Sequence, residues 1–166
     1  MLHNLDWLGR LQILYDASTF DTDPFEPQPD GMKTIFPFWV RRPSTQSGSD
    51  SAPGYVELPY TLPQDSTLFL VLGESTIDIW KNKLDWISSR GGMALVNVHP
   101  DYVSFDRPAR GAERARAQFG AGLYEQFLTY AKGRYGREAW FALPHEVAAY
   151  VHGYYGVPSE APVWAQ

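Results

Sequence analysis

The stretch Met93-Ala94-Leu95-Val96-Asn97-Val98-His99-Pro100-Asp101-Tyr102 constrains this chain more than any other. An apolar run of this length, preceded by Gly91-Gly92 and ending abruptly on a polar cluster, reads as a strand covered on both faces by helices. Such strands belong to α/β architecture. The run also delivers a histidine at its C-terminal end, where barrels and open α/β sheets present their catalytic groups. On residue type alone, a lone histidine at a strand end is more often a structural hydrogen-bonding group.

The segments around this strand fit the same architecture. Over residues 75–89 the apolar positions Ile77, Trp80, Leu84 and Ile87 recur at helical spacing, so one face is buried. Ser75 with Asp78 three residues later predicts a capped start, and Gly91-Gly92 a stop. Trp80 and Trp86 are expected to pack in the core. A long helix is predicted over 112–135, with Phe119, Leu123, Phe127 and Tyr130 on one side and Gly136 closing it. Residues 140–143 read as a last short strand, and Pro144 opens a helix through Tyr155. His145 and His152 share a face of that helix but lie two turns apart, too far to chelate one metal, and read as surface or packing residues.

The first half of the chain is more broken. Residues 5–14 read as a helical or turn segment that leads into a brief strand at 12–15. Pro24, Pro27 and Pro29 forbid regular helix in 21–31 and favour an extended loop. Residues 34–40 are β-branched and aromatic and predict a strand, which Pro37 places at an edge or bulge. The Ser-, Gly- and Pro-rich stretch 41–54 reads as a mobile exposed loop, 55–58 as a strand and 59–65 as a Pro-punctuated loop. The Pro-rich tail 157–166 is expected to be loosely held.

With 166 residues the chain reads as a single domain large enough for its own core. Its net charge of −5, with no concentration of Lys and Arg, argues against a nucleic-acid partner. The absence of cysteine removes disulfides, thiol nucleophiles and Cys-type zinc sites. No apolar run approaches the ~20 residues of a membrane span and no stretch reads as a signal peptide, so the default expectation is a cytoplasmic protein. Aromatic residues make up 15% of the chain; such residues can stack on sugar rings, although most are core.

Several strings resemble the C-terminal part of NodB-homology polysaccharide deacetylases, in the variant associated with bacterial surface-polysaccharide gene clusters. They are Asn4-Leu5-Asp6-Trp7, the run from Tyr15-Asp16-Ala17-Ser18 to Pro27, and Glu57-Leu58-Pro59-Tyr60-Thr61-Leu62-Pro63-Gln64-Asp65. Leu84-Asp85-Trp86-Ile87, Gly91 through Tyr102, and Trp140-Phe141-Ala142-Leu143-Pro144 complete the set, which runs over nearly the whole chain in order. The resemblance implies the C-terminal portion of a distorted (β/α)7-type barrel, with mainly parallel strands, covering helices and long Pro-rich loops. It implies hydrolysis of N-acetyl groups on amino sugars, and an amino-sugar polysaccharide or oligosaccharide as partner. It also implies a divalent metal (zinc, cobalt or nickel) for the full family domain. The family's Asp-rich motif, its His-x-x-x-His motif and its Arg motif are absent from the sequence, with Met1 falling at or just after the last of these. The chain alone is therefore expected to bind no metal.

In that chemistry a metal lowers the pKa of bound water, and an Asp base helps the water attack the acetamide carbonyl. An acid must then protonate the departing amine. His99 matches the family's late histidine and suits the acid role. Asp16 matches an acidic motif, and a carboxylate there would raise the pKa of His99; Asp16 equally caps a turn through Ser18 or Thr19. Gln64, Asp65, Asp101 and Tyr102 are candidates for substrate binding, with turn, capping and cleft-shaping roles as the plainer readings. The chain thus reads as the acid side of a hydrolytic site without its metal and base side. The alternative is a non-catalytic carbohydrate-binding or scaffold protein. An incomplete barrel would leave strand edges and apolar faces uncovered, which predicts a homo-oligomer (a dimer or larger) or a partly molten chain.

Overall fold

The computed structural model describes residues 8, 11, 13–23, 31–41, 54–105 and 117–155. The expectations for 1–7, 24–30, 42–53, 106–116 and 156–166 lie outside them. These include most of the first helical segment, the mobile loop, the start of the long helix and the loose tail. The described residues form a mixed α/β structure. Among them, no helix is long and apolar enough to cross a membrane.

Three short strands make the first sheet: β1 (Tyr15–Asp16), β2 (Phe38–Arg41) and β3 (Gly54–Glu57), in the order β1-β3-β2. β1 runs parallel to β3, pairing Tyr15 with Val56 and Asp16 with Glu57. β2 runs antiparallel, pairing Phe38 with Glu57 and Arg41 with Gly54. β2 starts only after Pro37, as expected for a residue that cannot donate to a ladder. Beyond β1 the chain keeps to the same neighbour. The Leu58 amide donates to the Asp16 carbonyl and the Tyr60 amide to that of Thr19, each at 2.9 Å. Three residues on one side thus oppose two on the other, which is a bulge.

Residues 93–99 do run extended, but they do not join a regular ladder. The Leu95 carbonyl accepts from Thr61 N (2.9 Å) and Leu62 N (3.2 Å), and the Asn97 carbonyl from Asp65 N (3.3 Å). The Thr61 hydroxyl donates to the Met93 carbonyl (2.8 Å) and accepts from Leu95 N (3.0 Å), taking the place of main-chain partners. Pro63 has no N–H to offer, which interrupts the opposite edge. The alternation expected of a strand survives: Met93 and Leu95 pack on one apolar cluster, Val96 and Val98 on another. Cover is incomplete, however, since Ala94 is exposed and its neighbours are half-buried.

Residues 66–71, which directly follow the predicted 59–65 loop, form a π-helix, Ser66–Val71, that periodicity does not predict. Helix α1 (Asp78–Ser89) buries Trp80, Leu84 and Ile87, as their spacing predicts. Its start is corrected by three residues: Thr76, not Ser75, accepts the Asp78 amide at 3.4 Å. It ends at Gly91, whose positive φ of 66° suits a residue without Cβ. The 3₁₀ turn Pro100–Tyr102 leads into β4 (Val103–Ser104), parallel to β5 (Phe119–Gly120). Phe119 was expected inside the long helix, yet helix α2 begins after it, at Ala121–Tyr135. Residues 140–143 form no strand, because no described strand lies beside them, and Trp140, Phe141 and Leu143 are exposed. Helix α3 (Pro144–Tyr154) opens where proline predicted, its Glu146 accepting the Leu143 amide at 2.6 Å.

Two apolar clusters result. One gathers α1, α2, the π-helix, Val103 and Phe119 around the fully buried Trp80, whose ring meets Phe69 at 5.0 Å and Phe127 at 4.9 Å. The other seats Ala148 and Val151 of α3 on Val56 and Leu58. Trp86, expected in the core, is exposed instead, with Lys83 and Arg90 over its ring. His145 is exposed, and His152 packs edge-on against Trp39 at 5.2 Å.

Candidate functional site

The extended segment 93–99 and the run 60–65 lie side by side, so their C-terminal ends meet. Asp65 there is fully buried and caps the π-helix by accepting the Ser66 amide at 2.8 Å. The same carboxylate holds His99 twice. Its Oδ2 accepts the His99 amide at 2.8 Å, and its Oδ1 lies 2.6 Å from the imidazole Nδ1. A carboxylate accepts only, so Nδ1 carries the proton, and in the neutral ring Nε2 is the acceptor. The His99 side chain is 37% exposed while that of Asp65 is sealed, a buried orienter behind an accessible imidazole.

Around this dyad runs a polar chain. The Gln64 amide nitrogen donates to the Tyr60 hydroxyl at 3.1 Å, and its carbonyl accepts from Asn97 Nδ2 at 3.2 Å. Behind it, fully buried Asp23 faces the Gln64 main-chain N–H (3.5 Å) and the Thr67 hydroxyl (3.4 Å). Tyr102 packs its ring 5.2 Å from that of His99, and its amide closes the turn onto the His99 carbonyl at 3.0 Å. Asp101 is exposed, and its main-chain carbonyl accepts from Gln118 at 3.2 Å.

The structure therefore brings Gln64, Asp65, His99 and Tyr102 together, with Asp101 on the adjoining turn. The carboxylate that touches His99 is Asp65, which the sequence reading assigned to substrate binding. Asp16 lies on β1, where its Oδ2 accepts from the Ser18 amide (3.2 Å) and hydroxyl (2.5 Å), the turn-capping contact. It pairs in register with Glu57, which is fully buried. Burial pushes the Glu57 carboxyl up to about 7; hydrogen bonds from Thr19 oppose the rise and the Asp16 charge adds to it.

Asn97, Tyr60 and Thr67 were not singled out from the sequence, and Asp23 stood out only as an acid close to Asp16 in the same run. A signal existed for Asn97, because it sits two positions before His99 on an extended segment and so shares its side. Among the described residues no three His, Asp or Glu side chains converge as metal ligands. Asp65 also occupies one imidazole nitrogen of His99. Among the described residues this site therefore offers too few free donors to fit a divalent cation. No protein-family model, no curated protein and no solved structure matches this chain.

Proposed function

We propose that this chain carries the acid side of a carbohydrate N-deacetylase-like site, within the C-terminal portion of a distorted barrel, and is inactive alone. The observation that carries the reading is the Asp65–His99 dyad: a sealed carboxylate on Nδ1 and an accessible ring at the end of an extended segment. Protonated His99 would give its Nε2 proton to the amine leaving an acetamide, and Asp65 would hold the ring in the orientation that transfer needs. Tyr102 beside the imidazole is placed to take the apolar face of a sugar ring. The zinc, cobalt or nickel ion implied by the resemblance would need ligands beyond the described residues. Open main-chain edges favour self-association: among the described residues Ala94, Val96 and Val98 have no main-chain hydrogen bond.

The test combines N-acetylchitooligosaccharide titration, followed by NMR, with acetate release in the presence of zinc, cobalt or nickel. The reading expects shifts at the His99 and Tyr102 rings, loss of the Tyr102 shift in His99→Gln, and no acetate. Sugar binding that ignores His99→Gln would favour the second reading, a non-catalytic carbohydrate-binding or scaffold protein. The exposed rings of Trp140, Phe141, Tyr150 and Tyr154 favour that alternative. Metal-dependent turnover by the chain alone would overturn the half-site reading, and no binding at all would remove both.

A further inference from the structure

The second buried acid of this fold, Glu57, takes no part in the dyad. It stands in β3 directly across from Asp16 of β1, and it is 0% exposed. Its Oε1 accepts from the Thr19 amide (3.1 Å) and the Thr19 hydroxyl (2.6 Å). Its Oε2 is buried without a hydrogen-bond partner among the described residues. A carboxylate oxygen sealed from water, unpartnered and beside a second carboxylate is an arrangement that a full negative charge does not tolerate.

Among the described residues the surroundings offer no compensating cation. β1 contributes Asp16. β2 sets Phe38 opposite Glu57, and its one charge, Arg41, lies opposite Gly54 at the far end of the strand. α3 covers the Val56 and Leu58 side of β3, where its His152 meets Trp39; Glu146 is engaged at the α3 N-terminus and His145 is exposed. Lys83, on α1, is committed to Asp21 at 2.7 Å. The charge that acts on Glu57 is that of Asp16.

What Glu57 holds is mechanically placed. The Thr19 it grips lies in the bulge between β1 and the Phe20 bridge to Tyr60 and Gly31. Four residues further, the same segment delivers Asp23 to the backbone of Gln64 and the hydroxyl of Thr67, next to the dyad. We propose that Glu57, sealed in β3 across from Asp16, keeps its proton in the folded chain, and that loss of this proton loosens the Thr19 bulge and the Asp23 contact behind the dyad, making this seam a pH-sensitive switch. With the proton in place, one charge faces a neutral acid and the bulge is fixed. Without it, two carboxylates oppose each other across β1 and β3; the Thr19 donors favour the anion, but burial and the Asp16 charge outweigh them, so the anionic Glu57 gains most by swinging toward water. The switch does not depend on the proposed chemistry of His99.

The test is a ¹³C NMR titration of the glutamate side-chain carboxyl groups from pH 4 to 9, alongside the Thr19 and Gln64 amides. Wild type, Asp16→Asn and Glu57→Gln are compared, and the Glu57 signal is identified by through-bond assignment as well as by its loss in Glu57→Gln. One glutamate is expected to titrate near 7, with the Thr19 and Gln64 amides moving at the same midpoint. Asp16→Asn is expected to lower its proton affinity by about threefold or more. The proposal is overturned if Glu57 titrates with the exposed glutamates, if Asp16→Asn leaves its midpoint in place, or if the two amides ignore its ionisation. Should Glu57→Gln fail to fold, wild type and Asp16→Asn alone give each of these readouts.

Discussion

Two buried carboxylates in this molecule differ in how far their oxygens are satisfied. Asp65 accepts three short hydrogen bonds, from the Ser66 amide, the His99 amide and the His99 ring, so its charge is fully engaged. Removing it strands those donors. Asp65→Ala is expected to cost roughly 3 kcal/mol, measured by denaturant unfolding, because each buried unsatisfied donor costs about 1–3 kcal/mol. Nitrogen chemical shifts of the His99 ring would at the same time lose the Nδ1–H tautomer preference; an unchanged tautomer would show that Asp65 does not orient the ring. Glu57 instead has one engaged oxygen and one stranded. Its carboxyl is raised from 4.5 to about 7 in the folded chain, so the folded state holds the proton after the unfolded state has lost it. Its contribution to stability is therefore complete below about pH 4.5, falls as pH rises toward 7, and is gone above that. The difference in unfolding free energy between wild type and Glu57→Gln should change by about 3 kcal/mol between pH 4 and pH 8, in favour of the variant at the higher pH. Parallel curves would sink this expectation.

At the scale of elements, the joint between α1 and α2 rests on packing and on one carboxylate. Trp80 fills the apolar seam, and its indole N–H donates to the Pro63 carbonyl at 2.7 Å. Trp80→Phe removes volume and that bond together, and is expected to cost about 2–4 kcal/mol in unfolding free energy. Asp85 accepts from the Tyr130 hydroxyl at 2.7 Å and from that of Tyr135 at 2.6 Å, and those two bonds hold its carboxyl below the usual range. Asp85→Asn should cost about 1 kcal/mol at neutral pH and progressively less as pH falls through the Asp85 titration, since protonation weakens the same bonds in wild type. α1 was legible because Trp80, Leu84 and Ile87 repeat at helical spacing and Gly91 supplies a stop. The start of α2 departs from its sequence pattern: Phe119 keeps helical spacing with Leu123 and Phe127, whereas its backbone is taken by pairing with Val103. Residues 140–143 look like a strand by composition, but a strand exists only where a neighbour supplies hydrogen bonds. The site shows the same division. His99 stood out by position and Asp65 by its place after a strand, while their pairing, 34 residues apart in the chain, is a tertiary contact that no local pattern encodes.

At the scale of the whole molecule, the dyad stands at the end of an extended segment that is paired along one edge only among the described residues. Residues 93–99 satisfy the edge that faces 61–65, and at Ala94, Val96 and Val98 the other edge offers main-chain donors and acceptors with no described partner. Exposed Trp140, Phe141 and Leu143 add apolar surface to the same molecule. An open extended edge is a template for another strand, and natural sheets protect such edges with charge. No charged side chain lies between Met93 and Val98. Sedimentation velocity across micromolar concentrations is therefore expected to show reversible dimers or larger species. Ala94 is the position at which to probe this, because it is exposed and its backbone holds no internal bond that a substitution would break. Ala94→Lys places a positive charge at the edge in both copies, and should weaken self-association about tenfold or more, equivalent to roughly 1.4 kcal/mol. The unfolding free energy of the variant should stay within about 0.5 kcal/mol of wild type when both are measured at concentrations where the protein is monomeric. A wild-type chain that sediments as a single stable monomer at every concentration would mean that this edge is covered within the chain. An oligomer indifferent to Ala94→Lys would move the interface elsewhere, with the exposed aromatic surface around Trp140 and Tyr150 as the next place to substitute.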